Sequence, residues 1–385
     1  MIPIKRRTFL KSAASAAAGC MAMSCAYSPL SNTYTGFPAD VYIQNSLIDQ
    51  AAVDETLDVC AKTLSQQTTG EQAWAAIFQK PSHKSWQEVK AAIKVNEVGN
   101  NRPRIAIINK ICRALNSLGA PYCNIRIYGG PNDTIQQVSP YNQLMAELLP
   151  GGVIISQHDS ALGGTKEVEI PQAVKNDMVI TATKCIAEIA DNTNDILVNL
   201  AVNKGHWEEF GGFTLTMKNH FGTCNPRPYP SGSFELSHGN LDYLCAISQS
   251  DFLIGATPPQ QQLCIIDSIW ATSALNPGVN GDDVPYNMII MGIYSPIVDY
   301  VTAKKVRQDI MKCKLGESAD TFLQKFGFTE EEINNLELIY LPDNKPLLLA
   351  KEKTHVKPHH NINPLIPDDR VVGCVNNDIV KDNYQ

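Results

Sequence analysis

Apolar and polar positions along the chain follow two periods, one typical of helices and one typical of buried strands. Apolar residues recur at helical spacing over residues 49–65, and a second, shorter helix is predicted over residues 70–79. The apolar run at residues 89–98 predicts the first core strand. Pro103 begins the next predicted helix and Gly119 ends it, which are the usual positions of these two residue types.

This alternation of strand and helix continues towards the C-terminus. Further strands are predicted at residues 123–128, 152–156, 196–203, 252–254, 263–269 and 287–293. Further helices are predicted at residues 140–149, after Thr181, from Pro296 to about Lys312, and after a capping box at residues 329–332. Such alternation is typical of an α/β protein, here with an open, mostly parallel sheet and helices on both faces.

Composition divides the chain into four segments. Residues 1–30 form a predicted leader, and residues 31–48 form a spacer rich in proline, glycine, serine and threonine. The α/β domain is predicted at residues 49–342. Residues 343–385 are rich in proline, asparagine, lysine and histidine, so we expect an irregular C-terminal tail that wraps the surface of the domain.

The leader resembles a twin-arginine export signal. Arg6 and Arg7 lie just before a Phe-Leu-Lys sequence, an alanine-rich run follows, and no acidic residue interrupts the segment. The resemblance implies recognition by the Tat export machinery and a location in the periplasm or on the outer face of the cell envelope. Two outcomes stay open at Cys20, because Ala-Ala-Gly-Cys resembles a lipobox: a lipid anchor on Cys20, or plain cleavage of the leader.

Charge and cysteine content exclude several classes of protein. The leader holds four of the 32 basic residues and none of the 39 acidic ones, so the rest of the chain has a formal charge of −11 and nucleic acid is not an expected partner. The eleven cysteines form no CxxC motif, which argues against an iron–sulfur cluster or a zinc knuckle. Nine lie beyond the leader, and this odd number favours free buried thiols over a disulfide framework.

Four groups of polar residues fall at predicted strand ends or in glycine turns, where α/β proteins usually place their chemistry. They lie at residues 94–97, 156–165, 204–223 and 237–240. Each has a structural alternative, in which Lys94 snorkels to solvent, His158 caps a turn and His206 packs at an interface. Their common position at strand ends favours the functional interpretation.

The third group and the strand before it resemble the DUF362 family of uncharacterised bacterial and archaeal proteins. The resemblance is carried by Leu-Val-Asn-Leu-Ala-Val-Asn-Lys-Gly-His at residues 197–206 and by Gly-Phe-Thr-Leu-Thr-Met-Lys-Asn-His-Phe-Gly at residues 212–222. Residues 93–96, 264–267 and 291–299 match further motifs, so the resemblance covers about residues 89–312. Some family members carry ferredoxin-type cysteine motifs, but this chain lacks them and no iron–sulfur cluster is implied.

The chain is also similar, more distantly, to the nickel-pincer lactate racemases. Residues 157–159, Gln-His-Asp, resemble one segment of that family. The second similar segment is formed by His206, Gly211, Gly212 and Lys218, and His238 falls where the family has a third histidine. The spacings are similar but not equal, and Lys218 lies in Thr-Met-Lys-Asn rather than in a Gly-Gly-x-Lys run.

This second resemblance implies a cofactor and a set of roles. Lys218 would hold a nicotinate-derived pincer cofactor, with Asn219 and the two glycines beside it, and nickel or another divalent metal would be bound. His158, His206 and Lys218 would be catalytic, and His238 and His206 would be metal ligands. Neutral imidazole suits both metal ligation and proton exchange near neutral pH.

The leading hypothesis is therefore an envelope enzyme that acts on a small oxygenated molecule by metal- or cofactor-assisted hydride or proton transfer. Such an enzyme would be similar to a racemase, an epimerase or an oxidoreductase. Asp159, Asp267 and Asp299 are further candidates for metal binding or for support of the ligands. The alternative is a protein that binds a metal or a ligand without turnover, as a maturation factor for another exported enzyme.

Overall fold

The computed structural model describes most of the predicted α/β domain and part of the tail, namely residues 45–97, 101–129, 140–156, 162–175, 178–206, 211–225, 241–255, 259–272, 283–316, 318–349 and 362–381. The predicted leader, His158, Asp159 and His238 lie outside these ranges. Residues 38–385 belong to one compact unit. No helix within the described ranges is long and apolar enough to cross a membrane.

The strands and helices alternate along the chain, as the sequence predicts. The strands are β1 (Ala91–Val95), β2 (Ile125–Tyr128), β3 (Ile154–Ser156), β4 (Thr165–Lys175), β5 (Met178–Ile186), β6 (Ile196–Val202), β7 (Lys204–Gly205), β8 (Phe213–Thr214), β9 (Gln261–Thr272), β10 (Asp283–Gly292), β11 (Leu338–Leu341) and β12 (Val371–Val375). The α-helices are α1 (Gln50–Ser65), α2 (Gly70–Ile77), α3 (Ile105–Ser117), α4 (Pro140–Leu148), α5 (Ala187–Ala190), α6 (Thr216–Asn219), α7 (Leu241–Ser248), α8 (Ser295–Val301), α9 (Ser318–Thr321) and α10 (Glu330–Asn334).

Eight strands form one open sheet in the order β3-β2-β1-β6-β9-β10-β12-β11. Both neighbours of β10 pair with it in antiparallel register, and the other adjacent pairs are parallel. β10 therefore runs against seven parallel strands, which confirms the predicted mostly parallel α/β sheet. The central parallel strands are buried on both sides and read as nearly continuous apolar runs, which is why the sequence reveals them.

The strand order reverses between β1 and β6. The chain proceeds outward from β1 to β2 and β3, then returns to the other side of β1 with β6 and continues to β9. At such a switch point the connections leave in opposite directions, and a crevice opens outside the carboxyl ends of the two strands. The fold thus places the ends of β1 and β6 where α/β proteins commonly bind ligands.

Helices cover both faces of the sheet, as predicted. On one face, the N–H of Arg104 just before α3 donates to the Asp267 carboxylate at 2.7 Å, and α1 packs beside it against β10 and β12. On the other face, the Asn199 side chain on β6 donates to the Thr216 carbonyl in α6 at 2.8 Å. α8 packs against α6 on this second face.

The helix predicted after Thr181 is wrong, because a β-hairpin occupies this part of the chain. β4 and β5 pair in antiparallel register, with Thr183 opposite Val168 and Ile186 opposite Thr165. Residues 178–186 are rich in β-branched valine, isoleucine and threonine, whose stiff side chains favour strands. Helix remains only at α5. The hairpin packs on the α6 face of the sheet through a cluster that includes Tyr128.

The strand predicted at residues 252–254 is also wrong. These residues form a turn after α7, where the N–H groups of Leu253 and Gly255 donate to the Ser250 carbonyl at 3.0 and 3.1 Å. A run of three apolar residues does not by itself distinguish a strand from a buried turn. The helix predicted from Pro296 is confirmed as α8, which then continues as a π-helix over Thr302–Ile310.

The C-terminal segment is not only a surface tail. β12 lies inside the sheet, between β10 and β11, and four of its five residues are buried. The prediction of an irregular, surface-wrapping segment is wrong for this strand, because the proline- and asparagine-rich residues around it hide a short apolar run, Val-Val-Gly-Cys-Val. The capping box before α10 is confirmed, with Thr329 and Glu332 bonding to each other's backbone N–H groups.

Candidate functional site

Polar side chains gather at the carboxyl ends of β1 and β6, at the switch point of the sheet. Lys94 on β1 lies opposite Asn199 on β6 in the parallel register. Just beyond the strands, the Lys204 amine donates to the Asn96 side-chain oxygen at 2.7 Å. The end of each strand therefore contributes a lysine and an asparagine to one crevice.

Helix α6 carries Lys218 and Asn219 across this crevice. The Asp299 carboxylate accepts hydrogen bonds from the N–H groups of Thr216 and Met217, both at 2.8 Å, and so caps the start of the helix. Burial raises the pKa of Asp299 to about 7, and these hydrogen bonds oppose the shift because they favour the carboxylate. α6 is thereby fixed to α8, which contains Asp299.

The glycine pair Gly211-Gly212 brings His206 back towards α6. Both glycines have positive φ, +88° and +79°, and the Gly212 carbonyl accepts from the His206 N–H at 3.1 Å. A Cβ on Gly212 would lie 3.1–3.2 Å from backbone atoms of residues 314–316. The pair is therefore needed for the shape of the turn and for its close packing.

His206 and Lys218 contact each other through the imidazole Nε2 and the lysine Nζ. Burial lowers the pKa of Lys218 well below its ordinary value, because little water remains to solvate an ammonium group there. Lys218 also lines a cavity of about 510 Å³, a volume that includes space open to solvent. The other lining residues are mostly apolar: Gly211, Phe213, Leu215, Met217, Phe221, Leu241, Leu244, Asp299, Ser318 and Phe322.

Lys94 lies beneath α6 and is 1% exposed, which rules out the snorkelling alternative. Its amine donates to the Asn219 side-chain oxygen at 2.9 Å and to the Val95 carbonyl at 2.6 Å. Burial lowers the pKa of Lys94 to about 7, against the opposing charge of nearby Glu97. Gly222 makes room for this amine, because a Cβ there would lie 2.3 Å from the Lys94 Cε atom.

Asn219 links Lys94 to a second buried group. Its amide nitrogen donates to the Asn199 side-chain oxygen at 2.8 Å and to the carbonyls of Lys94 and Leu200 at 3.2 and 3.1 Å. These contacts use the side chain of Asn219 within the protein. They indicate that Asn219 positions its neighbours, while the predicted cofactor contact stays a prediction.

His220 belongs to the same buried group rather than to the cavity. Its Nε2 donates to the Gln261 side-chain oxygen at 2.6 Å, and its Nδ1 lies 3.0 Å from the Thr223 hydroxyl. Burial lowers the pKa of His220 to about 4, so the imidazole is neutral near pH 7. The Thr223 hydroxyl also bonds to the Tyr128 hydroxyl at 2.8 Å.

The structure thus brings together part of the predicted site. His206, Lys218, Gly211 and Gly212 meet around the cavity, whereas His158, Asp159 and His238 lie outside the described ranges. Asp267 accepts from backbone N–H groups of Arg104 and Ile269 on the opposite face of the sheet. Among the described residues, no group of three or more His, Cys, Asp or Glu is placed to hold a metal ion.

The sequence did not single out Asn199 and Gln261 as site residues. Both are fully buried, and the Asn199 side chain donates to the Gln261 side-chain oxygen at 3.0 Å. The available signal was a polar residue inside an apolar strand, because such a side chain must find a hydrogen-bonding partner when it is buried. Asn199 is such a residue, since it interrupts the apolar run of β6.

Comparison with known families supports the resemblance seen in the sequence motifs. No curated protein matches the chain. The family model described as "Domain of unknown function (DUF362)" matches residues 91–304, which span β1 to the first turn of the π-helix and include Lys94, His206 and Lys218. This match covers more than half of the chain, so the protein belongs to the DUF362 family.

Proposed function

We propose that this DUF362 protein is an enzyme that transfers a proton at an oxygen-bearing carbon of a small molecule bound in the Lys218 cavity. The observation that carries the proposal is the contact between the Lys218 amine and the His206 imidazole beside a mostly apolar cavity. An acid–base pair at a mostly apolar cavity is the usual arrangement for proton transfer.

The chemistry of the pair follows from its surroundings. The lowered pKa of Lys218 increases the fraction of its amine that is unprotonated at neutral pH, so the nitrogen accepts a proton from the substrate more readily than an ordinary lysine does. The His206 imidazole is in direct contact with that amine and offers a second place for the proton. The apolar lining, which includes Phe213, Met217 and Phe322, limits water and favours the uncharged amine.

The cofactor that the racemase resemblance implies fits the described residues in one respect. Lys218 offers an amine of lowered pKa on a cavity, which suits a covalent amide link. When bound, such a cofactor would supply a hydride acceptor. The described residues show no cluster of metal ligands beside it, and the two other predicted histidines lie outside them. The metal therefore enters no step of the proposed proton transfer.

The proposal includes the cellular location of the protein. The leader with Arg6 and Arg7 supports Tat export to the periplasm or the outer face of the envelope. Cys20 supports a lipid anchor in addition. Fractionation of cells that express the full chain, compared with an Arg6→Lys, Arg7→Lys variant, tests the first step, and the variant is expected to stay in the cytoplasm. A Cys20→Ala variant is expected to lose membrane attachment.

The activity is tested by solvent exchange. Purified protein is incubated in D₂O with a panel of 2-hydroxy acids, 2-oxo acids and hydroxyaldehydes, and deuterium at the carbon is followed by NMR. We expect incorporation with at least one compound, loss of incorporation in Lys218→Arg, and retention in the matched control Lys305→Arg, whose lysine is exposed.

Intact mass and metal analysis of the same preparation separate the two functional hypotheses. A mass above that of the processed chain, located on Lys218, would support a covalent cofactor. Bound ligand or metal without exchange would contradict the enzyme and support a binding or maturation factor. Equal exchange in wild type and Lys218→Arg would contradict the role of Lys218.

A further inference from the structure

Two cysteines from distant parts of the chain lie directly opposite each other below the candidate site. Cys185 near the end of β5 forms an antiparallel bridge with Cys224, six residues after Lys218. The Ile186 N–H donates to the Thr223 carbonyl at 3.0 Å, and the Asn225 N–H donates to the Lys184 carbonyl at 2.7 Å. Residues 223–225 therefore extend the β4–β5 hairpin by a third short strand.

The position of these hydrogen bonds defines the geometry of the cysteine pair. They flank the pair on both sides, so Cys185 and Cys224 form a non-hydrogen-bonded pair of the ladder. In such pairs the Cα atoms are about 4.5 Å apart and the side chains leave the same face of the ladder. A disulfide needs Cα atoms about 4.4–6.8 Å apart, so the backbone already meets its requirement.

The side chains agree with the backbone. Both cysteines are free and fully buried, and the Cys185 thiol lies close enough to raise the pKa of the Cys224 thiol. Burial raises the pKa of the Cys224 thiol well above its ordinary value, so the thiolate needed for exchange is scarce in the folded chain. A bond between the two sulfur atoms would therefore form when local unfolding of residues 223–225 opens the pair to an oxidant outside the cytoplasm.

We propose that Cys185 and Cys224 form a disulfide that ties the β4–β5 hairpin to the segment that carries Lys218. Each cysteine loses its thiol hydrogen as a proton, one S–S bond forms, and two electrons pass to a disulfide oxidant, which is reduced to two thiols. The reaction runs through a mixed disulfide, in which one thiolate attacks the oxidant and the second cysteine displaces it.

The disulfide would matter because of what lies between α6 and Cys224. Gly222 contacts Lys94, and Thr223 joins the Tyr128 hydroxyl to the His220 ring. Asp299 already fixes the start of this segment, and the disulfide would fix its other end. Without it, the end is held by hydrogen bonds alone, among them the two beside Cys224 and one from the Tyr243 hydroxyl to the Asn225 carbonyl at 2.7 Å. The crosslink is therefore expected to fix the position of residues 220–223, which lie between helix α6 and Cys224.

The test uses the full chain, unfolded and reduced and then refolded in a glutathione buffer with excess oxidised glutathione. Free thiols are alkylated in denaturant, and the peptides are mapped by mass spectrometry. We expect a Cys185–Cys224 linked peptide and alkylated Cys112, which lies in α3 on the opposite face of the sheet. Native circular dichroism with Cys185 and Cys224 both alkylated, or with either joined to another cysteine, would overturn the proposal.

A second test compares the stability of oxidised and reduced protein in urea, and it does not depend on any single variant. The urea midpoint of the oxidised wild type is expected to exceed that of the reduced wild type, because the crosslink restricts the unfolded chain. Cys185→Ala and Cys224→Ala are each expected to lose this difference between oxidised and reduced samples, whereas Cys112→Ala keeps it. A difference that persists in both variants would overturn the assignment to this pair.

Discussion

One lysine lies beneath helix α6 and another lies on it, and comparing the two separates a structural role from a chemical one. Lys94 is below the helix and bonds to Asn219, whereas Lys218 is on the helix and contacts His206 at the cavity. Burial lowers the pKa of both amines. The same physical cause thus acts on both, and only their surroundings differ.

The difference is one of access. Lys94 is enclosed by protein, with its amine bonded to a carbonyl and an amide oxygen. Lys218 is only partly buried and lines the mostly apolar cavity. A perturbed pKa marks a candidate site only when a ligand can reach the group, because structural networks perturb pKa values as well. This difference supports the chemical role proposed for Lys218 and indicates a positioning role for Lys94.

The largest effect on stability is expected at Gly222, where the backbone packs directly against the Lys94 side chain. A Cβ on Gly222 would lie 2.3 Å from the Lys94 Cε atom and 2.5 Å from the Gly129 carbonyl oxygen. The carbonyl belongs to the backbone and cannot simply turn away. Gly222→Ala is therefore expected to lower the free energy of unfolding by about 3 kcal/mol, measured by urea denaturation.

A second glycine gives the control for this substitution. A Cβ on Gly151 would meet no heavy atom within 4 Å, and this glycine has no positive φ. Gly151→Ala is therefore expected to change the free energy of unfolding by less than about 0.5 kcal/mol. Similar losses in both variants would mean that the contact with Lys94 does not determine the cost.

The fold was predictable where the sequence contained continuous apolar runs. β1, β6 and β9 are buried on both faces and appear in the sequence as largely apolar runs, so their presence in a mostly parallel sheet could be expected, whereas their order in it was not predicted. β4 and β5 form a separate hairpin beside the sheet; no element was predicted for β4, and a helix was predicted after Thr181, within β5. β12 was missed because polar and proline-rich residues surround it.

Contacts of the site between residues close in sequence could be predicted, but contacts between residues far apart in sequence could not. His206 and Lys218 lie twelve residues apart in one glycine-rich stretch, and their contact follows from the Gly211-Gly212 turn. The bond between Lys94 and Asn219 joins residues 125 positions apart. Register and helix placement create that bond, and no local spacing in a single sequence encodes it.

Reactivity towards an amine reagent sharpens the comparison of the two lysines. Near pH 7 an ordinary lysine is almost entirely protonated, and each unit by which its pKa falls increases the reactive amine about tenfold. Acetic anhydride labelling with peptide mapping is therefore expected to modify Lys218 at least about ten times faster than the exposed Lys305. Lys94 should react more slowly than Lys305, because reagent cannot reach it.

Denaturation gives the control for the labelling. In urea all three lysines lose their surroundings, so their rates should become similar. A rate for Lys218 in the folded protein no higher than that for Lys305 would mean that its amine is charged or out of reach of a small molecule, and either result would contradict its proposed role as a base. Fast labelling of Lys94 would show that the crevice beneath α6 opens to solvent.

The smallest predicted effect concerns the dependence of stability on pH. Burial lowers the pKa of Lys94 to about 7, whereas the amine of the unfolded chain keeps its ordinary pKa of 10.5. Between these values the unfolded chain binds more protons at this position than the folded chain. The free energy of unfolding therefore rises with pH, by about 1.4 kcal/mol per pH unit for this group.

Lys94→Met removes the titrating group and nearly conserves the volume of the side chain. Between about pH 7.5 and about pH 8.5, the wild-type free energy of unfolding is expected to rise by about 1.4 kcal/mol more than that of the variant. The buried thiols ionise in the unfolded chain at about pH 8.5, but they do so equally in the wild type and the variant and cancel from this difference. Lys305→Met should keep the wild-type slope. Equal slopes in wild type and Lys94→Met would mean that Lys94 is charged in the folded protein, and burial alone would then not explain the lowered pKa of Lys218 either.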